Sequence, residues 1–239
     1  MTGSDSLAGR SALVTGASKG IGRSVAIALA DAGARVWCMA RTVAALDALA
    51  AEIGGESLVA DITDDVAVWD ALDHMKSTLG GPPDIVVNSA GLFGVALSYK
   101  ESVRTFDEYL AVNLRGTFLV NRGVVPEMVE RGSGLIVNVG SVAGRKAYKG
   151  NAAYSASKFG LRGYHEVLLE DLRGTGVRAC LLEPAATDTP IWDPLDPDEN
   201  PRLPSRDQML RAEDVAEALL FVATRPETVS IPVLMIERA

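Results

Sequence analysis

Ser11-Ala12-Leu13-Val14-Thr15-Gly16-Ala17-Ser18-Lys19-Gly20-Ile21-Gly22 is the stretch that decides the fold. Its first five residues form a short apolar run of strand type. The helical pattern Val25, Ile27, Leu29, Ala30 follows and closes near Gly33. Strand, glycine-rich turn and helix in that order offer the unpaired N–H groups and partial positive charge of a helix start to a pyrophosphate, and the glycines let the backbone come close to it. The spacing is Gly-x-x-x-Gly-x-Gly rather than the commoner Gly-x-Gly-x-x-Gly, so the flanking strand and helix carry the nucleotide reading.

Downstream the same unit repeats. Residues 35–39 read as a strand ending in Ala40-Arg41, Thr42 as the cap of a helix through Ile53, and 58–60 as a third strand followed by Asp61. Asp64 and Asp65 open a helix to about Leu79, Gly80-Gly81-Pro82-Pro83 breaks it, and 84–87 is a fourth strand ending in Asn88-Ser89-Ala90-Gly91. One long helix is expected over 102–130, carrying Asn113, with a kink or early stop at Pro126. Strands at 135–139, ending in Gly140-Ser141, and at 177–182, ending in Glu183-Pro184, come next. Then follow a helix over 213–223 and a last strand over 229–236, broken by Pro232. Strands and helices alternating with short links predict a single α/β domain over 1–239. It is a Rossmann-like, doubly wound parallel sheet of about seven strands with helices on both faces. The Pro- and Asp-rich stretch 185–210 is long for a connection in such a domain and is expected to include a substrate lid at about 187–210.

Every motif so far falls at a strand's carboxyl end, where ligands of such sheets lie. In dinucleotide folds an acidic residue at the end of the second strand binds the ribose hydroxyls. Here Ala40 is neutral, Arg41 follows, and Lys19 adds a cation on the same side. Two cations and no carboxylate favour NADP(H) over NAD(H).

Tyr154-Ser155-Ala156-Ser157-Lys158 sets a phenol and an amine four residues apart, on one face of a helix. A cation held beside a phenol lowers its pKa from about 10, which would let it pass a proton to or from a carbonyl oxygen near neutral pH.

Composition narrows the partners. A chain of 239 residues, 48% of them hydrophobic, suffices for one core, and a net charge of -8 argues against nucleic acid and against anionic membrane. Residues 1–10 lack the apolar core of a secretory signal, and no apolar run is long enough to span a bilayer. Cys38 and Cys180 read as buried thiols and suit a reducing cytoplasm. There is no Cys/His cluster at metal-ligand spacing, and His74 and His165 read as structural or solvated.

In order and spacing the chain resembles the short-chain dehydrogenase/reductase family, in its single-domain branch. The matching residues are Thr15-Gly16-x-x-x-Gly20-Ile21-Gly22, Asn88-x-Ala90-Gly91, Asn113, Ser141, Tyr154-x-x-x-Lys158, and Pro184 followed by Thr189. The resemblance implies a catalytic tetrad. Tyr154 would be the general acid or base, Lys158 would bind the nicotinamide ribose and depress the phenol's pKa, Ser141 would hold the substrate oxygen, and Asn113 would hold a water linking Lys158 to solvent. It places Gly16, Ser18, Lys19, Gly20, Ile21 and Gly22 around the phosphates and ribose, Asp61 and Ile62 at the adenine, and Arg41 at the 2′-phosphate. Asn88, Ala90 and Gly91 would line the ribose, and Pro184, Thr187 and Thr189 the nicotinamide. Ser89, Ala185 and Thr187 depart from the usual asparagine, glycine and aliphatic residue.

The implied activity is the NADP(H)-dependent interconversion of a ketone and a secondary alcohol. The alternatives are reduction of a 3-oxoacyl-carrier protein and a non-catalytic NADP(H) sensor. Arg145, Lys146 and Lys149 form a basic cluster suited to an acidic carrier, whereas Asp188, Asp193, Asp196, Asp198 and Glu199 give an acidic lid that would repel one. The expected partners are a small carbonyl or alcohol substrate and further copies of the chain, as a homodimer or homotetramer. The dimer through the helices around Asn113 and Lys158 is preferred, because Ala239 follows soon after the last strand.

Overall fold

Residues 6–239 are described by a computed structural model; the polar start, residues 1–5, lies outside the described residues. Seven parallel strands form the central sheet: β1 (Ser11–Thr15), β2 (Arg35–Ala40), β3 (Glu56–Val59), β4 (Ile85–Asn88), β5 (Gly134–Val139), β6 (Val177–Pro184) and, after the two-residue strands β7 (Thr187–Asp188) and β8 (Leu210–Arg211), β9 (Val233–Ile236). The order across the sheet is β3-β2-β1-β4-β5-β6-β9. The strands read as unbroken apolar runs because both faces are covered. Ala12, Val14, Cys38, Val87, Val137 and Cys180 face one core. The intervening Leu13, Trp37, Val86, Ile136 and Ala179 face the other.

The first core is closed by α1 (Gly20–Asp31), α2 (Val43–Ile53) and α7 (Ala212–Ala223), through Val25, Leu29, Leu46, Leu49, Val215 and Leu219. The second is closed by α3 (Asp65–Leu79), α5 (Thr117–Arg131) and α6 (Ala152–Asp171), through Val68, Leu72, Leu119, Val124 and Leu168. The chain winds outward from β1 to β3 and then returns to place β4 on β1's other side. The carboxyl ends of β1 and β4 therefore open a crevice at the point where the winding reverses.

Several sequence expectations shift. The single helix over 102–130 is instead α4 (Val103–Leu110), a π-helical turn Ala111–Gly116, and α5, which runs through Pro126 to Arg131 without stopping there. A π turn inserts one extra residue into a helix, and local sequence leaves no mark of it. Asp64 caps α3 by accepting from the Ala67 N–H at 3.1 Å, but the Thr42 side chain makes no cap bond at α2. The last strand is confined to Val233–Ile236. Among the described residues, no helix is long and apolar enough to cross a membrane, and no group of His, Cys, Asp or Glu side chains could hold a metal.

Candidate active site

The glycine-rich turn sits at the mouth of the crevice. Gly16 has φ +66° and Gly20 φ +58°, the left-handed region that favours glycine. A Cβ on Gly16 would lie 2.7 Å from the Ala90 Cα, and one on Gly22 would lie 2.4 Å from the Gly16 carbonyl oxygen. The buried Thr15 hydroxyl accepts from the Ser89 and Ala90 N–H groups at 3.1 and 3.2 Å, which locks the tail of β4 onto β1. No side chain caps α1 at Lys19. The start of α1 therefore keeps its donors for a ligand rather than for the chain. Asn88 Oδ1, at the same strand end, is buried without a partner. Close glycines, an uncapped helix start and an orphaned acceptor at one mouth fit a dinucleotide. Ser18 and Ile21 lie in this turn, Ile21 packing partly on the first core, and Thr189 rests against Gly20, 3.2 Å from where its Cβ would be.

Arg41 and Lys19 are exposed on the β2 side of this mouth. Arg41 Nη1 lies 3.3 Å from Asp61 Oδ2, and Asp61 Oδ1 accepts from the N–H and the hydroxyl of Thr63 at 2.9 and 2.8 Å. Burial pushes the Asp61 carboxyl up, but the Thr63 bonds and the Arg41 charge together hold it below its ordinary value. Ile62 is buried against Gly116 of the π turn, where a Cβ would come within 2.6 Å of it.

Ser141, Tyr154 and Lys158 converge at the end of β5. The Lys158 Nζ is buried, donates to the Val139 carbonyl at 2.8 Å, and lies 5.8 Å from the centre of the Tyr154 ring. Burial of the amine pulls its pKa from 10.5 down to about 8. The phenol departs from the sequence expectation. Its burial raises the Tyr154 pKa, and the Ser141 hydroxyl beside it only partly opposes that. The Lys158 amine, 5.8 Å from the ring centre, does not outweigh that burial. Ser141 Oγ also accepts from the Ala143 N–H at 3.1 Å.

Asn113 is buried in the π turn and clasps one backbone unit of the neighbouring loop. It accepts from the Leu92 N–H at 2.7 Å and donates to the Leu92 carbonyl at 2.9 Å. Its other amide hydrogen goes to Ser157 Oγ at 2.9 Å, one residue before Lys158. The side chain thus ties that loop to α6. Gly91, next to that loop, would place a Cβ 3.5 Å from Asn113 Oδ1. On the far side, Pro184 ends β6, and the Thr187 hydroxyl donates to the Ala185 carbonyl at 3.0 Å. That bond explains how a threonine fits where an aliphatic residue is usual.

Of the two charge clusters, the basic one differs from the sequence reading. Arg145 is drawn out of the expected basic cluster to the buried Glu183 carboxylate, which Arg162 also meets at 3.3 Å. Arg206 gathers the acidic stretch. It pairs with Asp188, with Asp193 at 2.7 Å and with Asp198 at 3.8 Å, which ties the segment together but leaves it net acidic.

Sequence reasoning missed three further features. Phe93 stands edge-on to Tyr154, with ring centres 4.8 Å apart, and against Trp192 at 4.6 Å. Asn88, Asn121 and Asn138 form a buried amide network, with Asn88 Nδ2 donating to the other two at 2.8 and 2.9 Å. His165 extends it, as Nε2 donates to the Pro232 carbonyl at 3.0 Å while Nδ1 accepts from Asn138 at 3.2 Å. The asparagines at strand ends were visible in the sequence. Their mutual pairing follows only from the register Thr15↔Asn88↔Asn138.

The short chain dehydrogenase family matches residues 10–200. The D-threitol dehydrogenase of Mycolicibacterium smegmatis is 36% identical over 227 residues, 91% of this chain and 87% of that one. The 2-dehydro-3-deoxy-L-rhamnonate dehydrogenase (NAD(+)) of a Sphingomonas species is 38% identical over 91% of this chain and 89% of its own. Among solved structures, a metagenomic short-chain oxidoreductase in complex with NADP is 30% identical and superposes with a TM-score of 0.82, covering 98% of this chain and 99% of that one. With the family match running over most of its length and these relatives covered nearly end to end, the chain belongs to the short-chain dehydrogenase/reductase family of oxidoreductases.

Proposed function

We propose that the protein interconverts a ketone and a secondary alcohol with NADP(H), Tyr154 moving the proton. The observation that carries this is the meeting of Ser141, Tyr154 and Lys158 at the end of β5, on the same side of the sheet as the glycine turn whose helix start no side chain caps. The nicotinamide, when bound, supplies or accepts the hydride. The phosphates would lie on Gly16, Ser18, Gly20, Ile21 and Gly22, the ribose and adenine beside Asn88, Ala90, Gly91, Asp61 and Ile62, and the nicotinamide by Pro184, Thr187 and Thr189. Cytoplasmic location is supported by Cys38 and Cys180, both free and buried.

The chain's own chemistry follows from its pKa directions. A phenol whose pKa is raised keeps its proton at neutral pH and can donate it to an alkoxide forming at a ketone carbon. The Ser141 hydroxyl steadies the same oxygen as charge develops on it. Lys158, its pKa near 8, can pass a proton toward the phenolate left behind. Asn113 positions α6 against the Leu92 loop, and so fixes Lys158 from one side.

NADP(H) is preferred because Arg41 and Lys19 stand at the ribose side. The Arg41–Asp61 pair is exposed and worth at most about 1 kcal/mol, so a 2′-phosphate can recruit the guanidinium. The exposed Phe118, Phe159 and Val167 on α5 and α6 support association of copies through those helices. An absorbance screen of ketones and alcohols with NADPH and NADP+ tests the function; cofactor binding without turnover across a broad panel would favour the sensor instead. Acceleration with carrier-bound over free oxoacyl substrate would revive the carrier-protein option, which the loss of Arg145 to Glu183 weakens.

A further inference from the structure

Among the described residues, few polar side chains near the reacting phenol are left free to recognise a polyhydroxylated substrate. Such a substrate needs several convergent, unpaired donors and acceptors, since each of its hydroxyls must exchange water for protein. Several polar groups near Tyr154 are engaged elsewhere, the buried Ser155 hydroxyl being an exception. Both amide hydrogens of Asn113 go to Leu92 and Ser157, and the Thr187 hydroxyl is bonded to the Ala185 carbonyl. Asp188, Asp193 and Asp198 are turned to Arg206.

Two rings form a wall beside that phenol. Phe93, half-buried, meets Tyr154 edge-to-face with planes 80° apart, and the indole of Trp192 lies tilted against it at 56°. Both are held in place. Trp192 is buried, and its Nε1 donates to the Thr187 carbonyl at 3.0 Å, which fixes the indole on the turn Pro190–Leu195. The Phe93 loop is pinned before it by the Asn113–Leu92 clasp and after it by the Ala96 N–H, which donates to the Gly150 carbonyl at 2.8 Å. Gly94 lets the loop pass the Tyr109 hydroxyl, which would lie 2.4 Å from any Cβ there.

Resting on the ketone–alcohol reading above, we propose that Phe93, backed by the buried Trp192, sets the specificity of this site for ketones with an apolar, preferably aromatic, group next to the reacting carbon. Ring edges and faces offer such a group apolar contact and tilted stacking, and offer a row of hydroxyls nothing in exchange for water. This separates the chain from the relatives whose names carry threitol or a sugar acid.

The experiment compares kcat/KM for acetophenone and for erythrulose with NADPH, in the unaltered protein and in Phe93→Ser and Phe93→Leu. Acetophenone is expected to be preferred by at least about tenfold, the scale of a hydrophobic-pocket discrimination. Phe93→Ser should lower that ratio about tenfold or more, chiefly through the KM for acetophenone, while Phe93→Leu, which keeps apolar bulk, should hold it within about threefold. Preference for erythrulose, or a Phe93→Ser loss shared equally by both substrates, overturns the proposal and leaves the oxidoreductase reading intact. Saturable calorimetric binding of acetophenone that Phe93→Ser removes, with no turnover of any ketone, would support the wall and overturn the hydride chemistry instead.

Discussion

Lys158→Met separates what the buried amine does for stability from what it does for chemistry. In the folded chain the Lys158 pKa falls from 10.5 to about 8 through burial. At about 1.4 kcal/mol for each pKa unit, charging the amine inside the fold costs roughly 3 kcal/mol more than in the unfolded chain. Below about pH 8 both states carry the proton and the cost is full. Between there and 10.5 the folded state sheds its proton first, so stability rises with pH, and above 10.5 the penalty is gone. Methionine matches the length of the side chain and removes the charge. It also strands the Val139 carbonyl, which now accepts from Nζ at 2.8 Å, at a cost of about 1–2 kcal/mol. The net expectation at pH 7 is a gain of roughly 1–2 kcal/mol, or on the order of 4 °C in Tm for a domain of this size. Reduction should meanwhile fall by about a hundredfold or more.

Thermal unfolding followed by circular dichroism, without cofactor, from pH 7 to pH 10, reads the first effect, and NADPH oxidation reads the second. The unaltered protein should climb toward the variant as pH rises, and the gap should close. A variant that melts lower at pH 7, or a gap that stays constant across that range, would refute the idea that the amine is held at the expense of stability. Residues retained against stability are expected where function requires them.

Tyr154→Phe should leave NADPH affinity within about twofold and cut turnover by about a hundredfold or more, the scale of a lost general acid; steady-state rates beside a fluorescence titration check it, and near-normal turnover would remove the phenol from the mechanism. Arg41→Asp should reverse the coenzyme preference toward NADH, since a carboxylate repels a 2′-phosphate; the ratio of kcat/KM for the two coenzymes checks it, and an unaltered protein that already prefers NADH refutes it. Gly22→Ala should abolish NADPH binding, because its Cβ would stand 2.4 Å from the Gly16 carbonyl oxygen and force the turn apart, as calorimetry would show. His165 is held neutral: burial lowers its pKa below 6.5, against the pull of the Pro232 carbonyl and Glu166. The unfolded chain therefore takes up the proton first, so this contribution is full above about pH 6.5 and is lost as pH falls below it. The decline in urea midpoint between pH 7 and pH 5 should accordingly be smaller in His165→Gln.

What was legible in the sequence is what acts locally. A strand ending in Thr15-Gly16, an uncapped helix start and Tyr154 one turn before Lys158 can each be placed from spacing alone, and so can the alternation that gives the parallel sheet. What escaped depends on partners distant in sequence. Nothing around Asn113 marks a π turn; the extra residue is stabilised by Leu92, 21 residues upstream, and by Ser157, 44 residues downstream. Arg145 looked like part of a surface cluster because its carboxylate, Glu183, belongs to another strand. Phe93 carries no signal of its own, since a phenylalanine in a loop becomes a wall only once Trp192 folds over it. The phenol's pKa was misjudged for the same reason. The effect of a neighbouring cation can be read from spacing, whereas burial cannot, and here burial is the larger.

Size alone does not mark the functional end of this sheet. A cavity of about 690 Å³ opens at the opposite end, beside Arg10, Ser11, Asp84 and Arg131. There Asp84 and Arg131 are satisfied within the chain. Asp84 accepts from the Ser11 N–H and hydroxyl at 2.8 and 2.9 Å, and Arg131 donates to the Pro82 and Pro83 carbonyls at 2.6 and 2.9 Å. At the carboxyl ends the accounts stay open: an amine buried at the cost of its charge, an Asn88 oxygen with no donor, a helix start with no cap, and glycines in left-handed backbone packed against a neighbouring strand. Each is locally unfavourable, and a fold under no other demand would replace them with apolar or self-satisfied residues. That they crowd one mouth, while Asp84 and Arg131 at the opposite cavity are paired within the chain, is what a site waiting for a polar ligand requires, because the missing partners must come from the ligand.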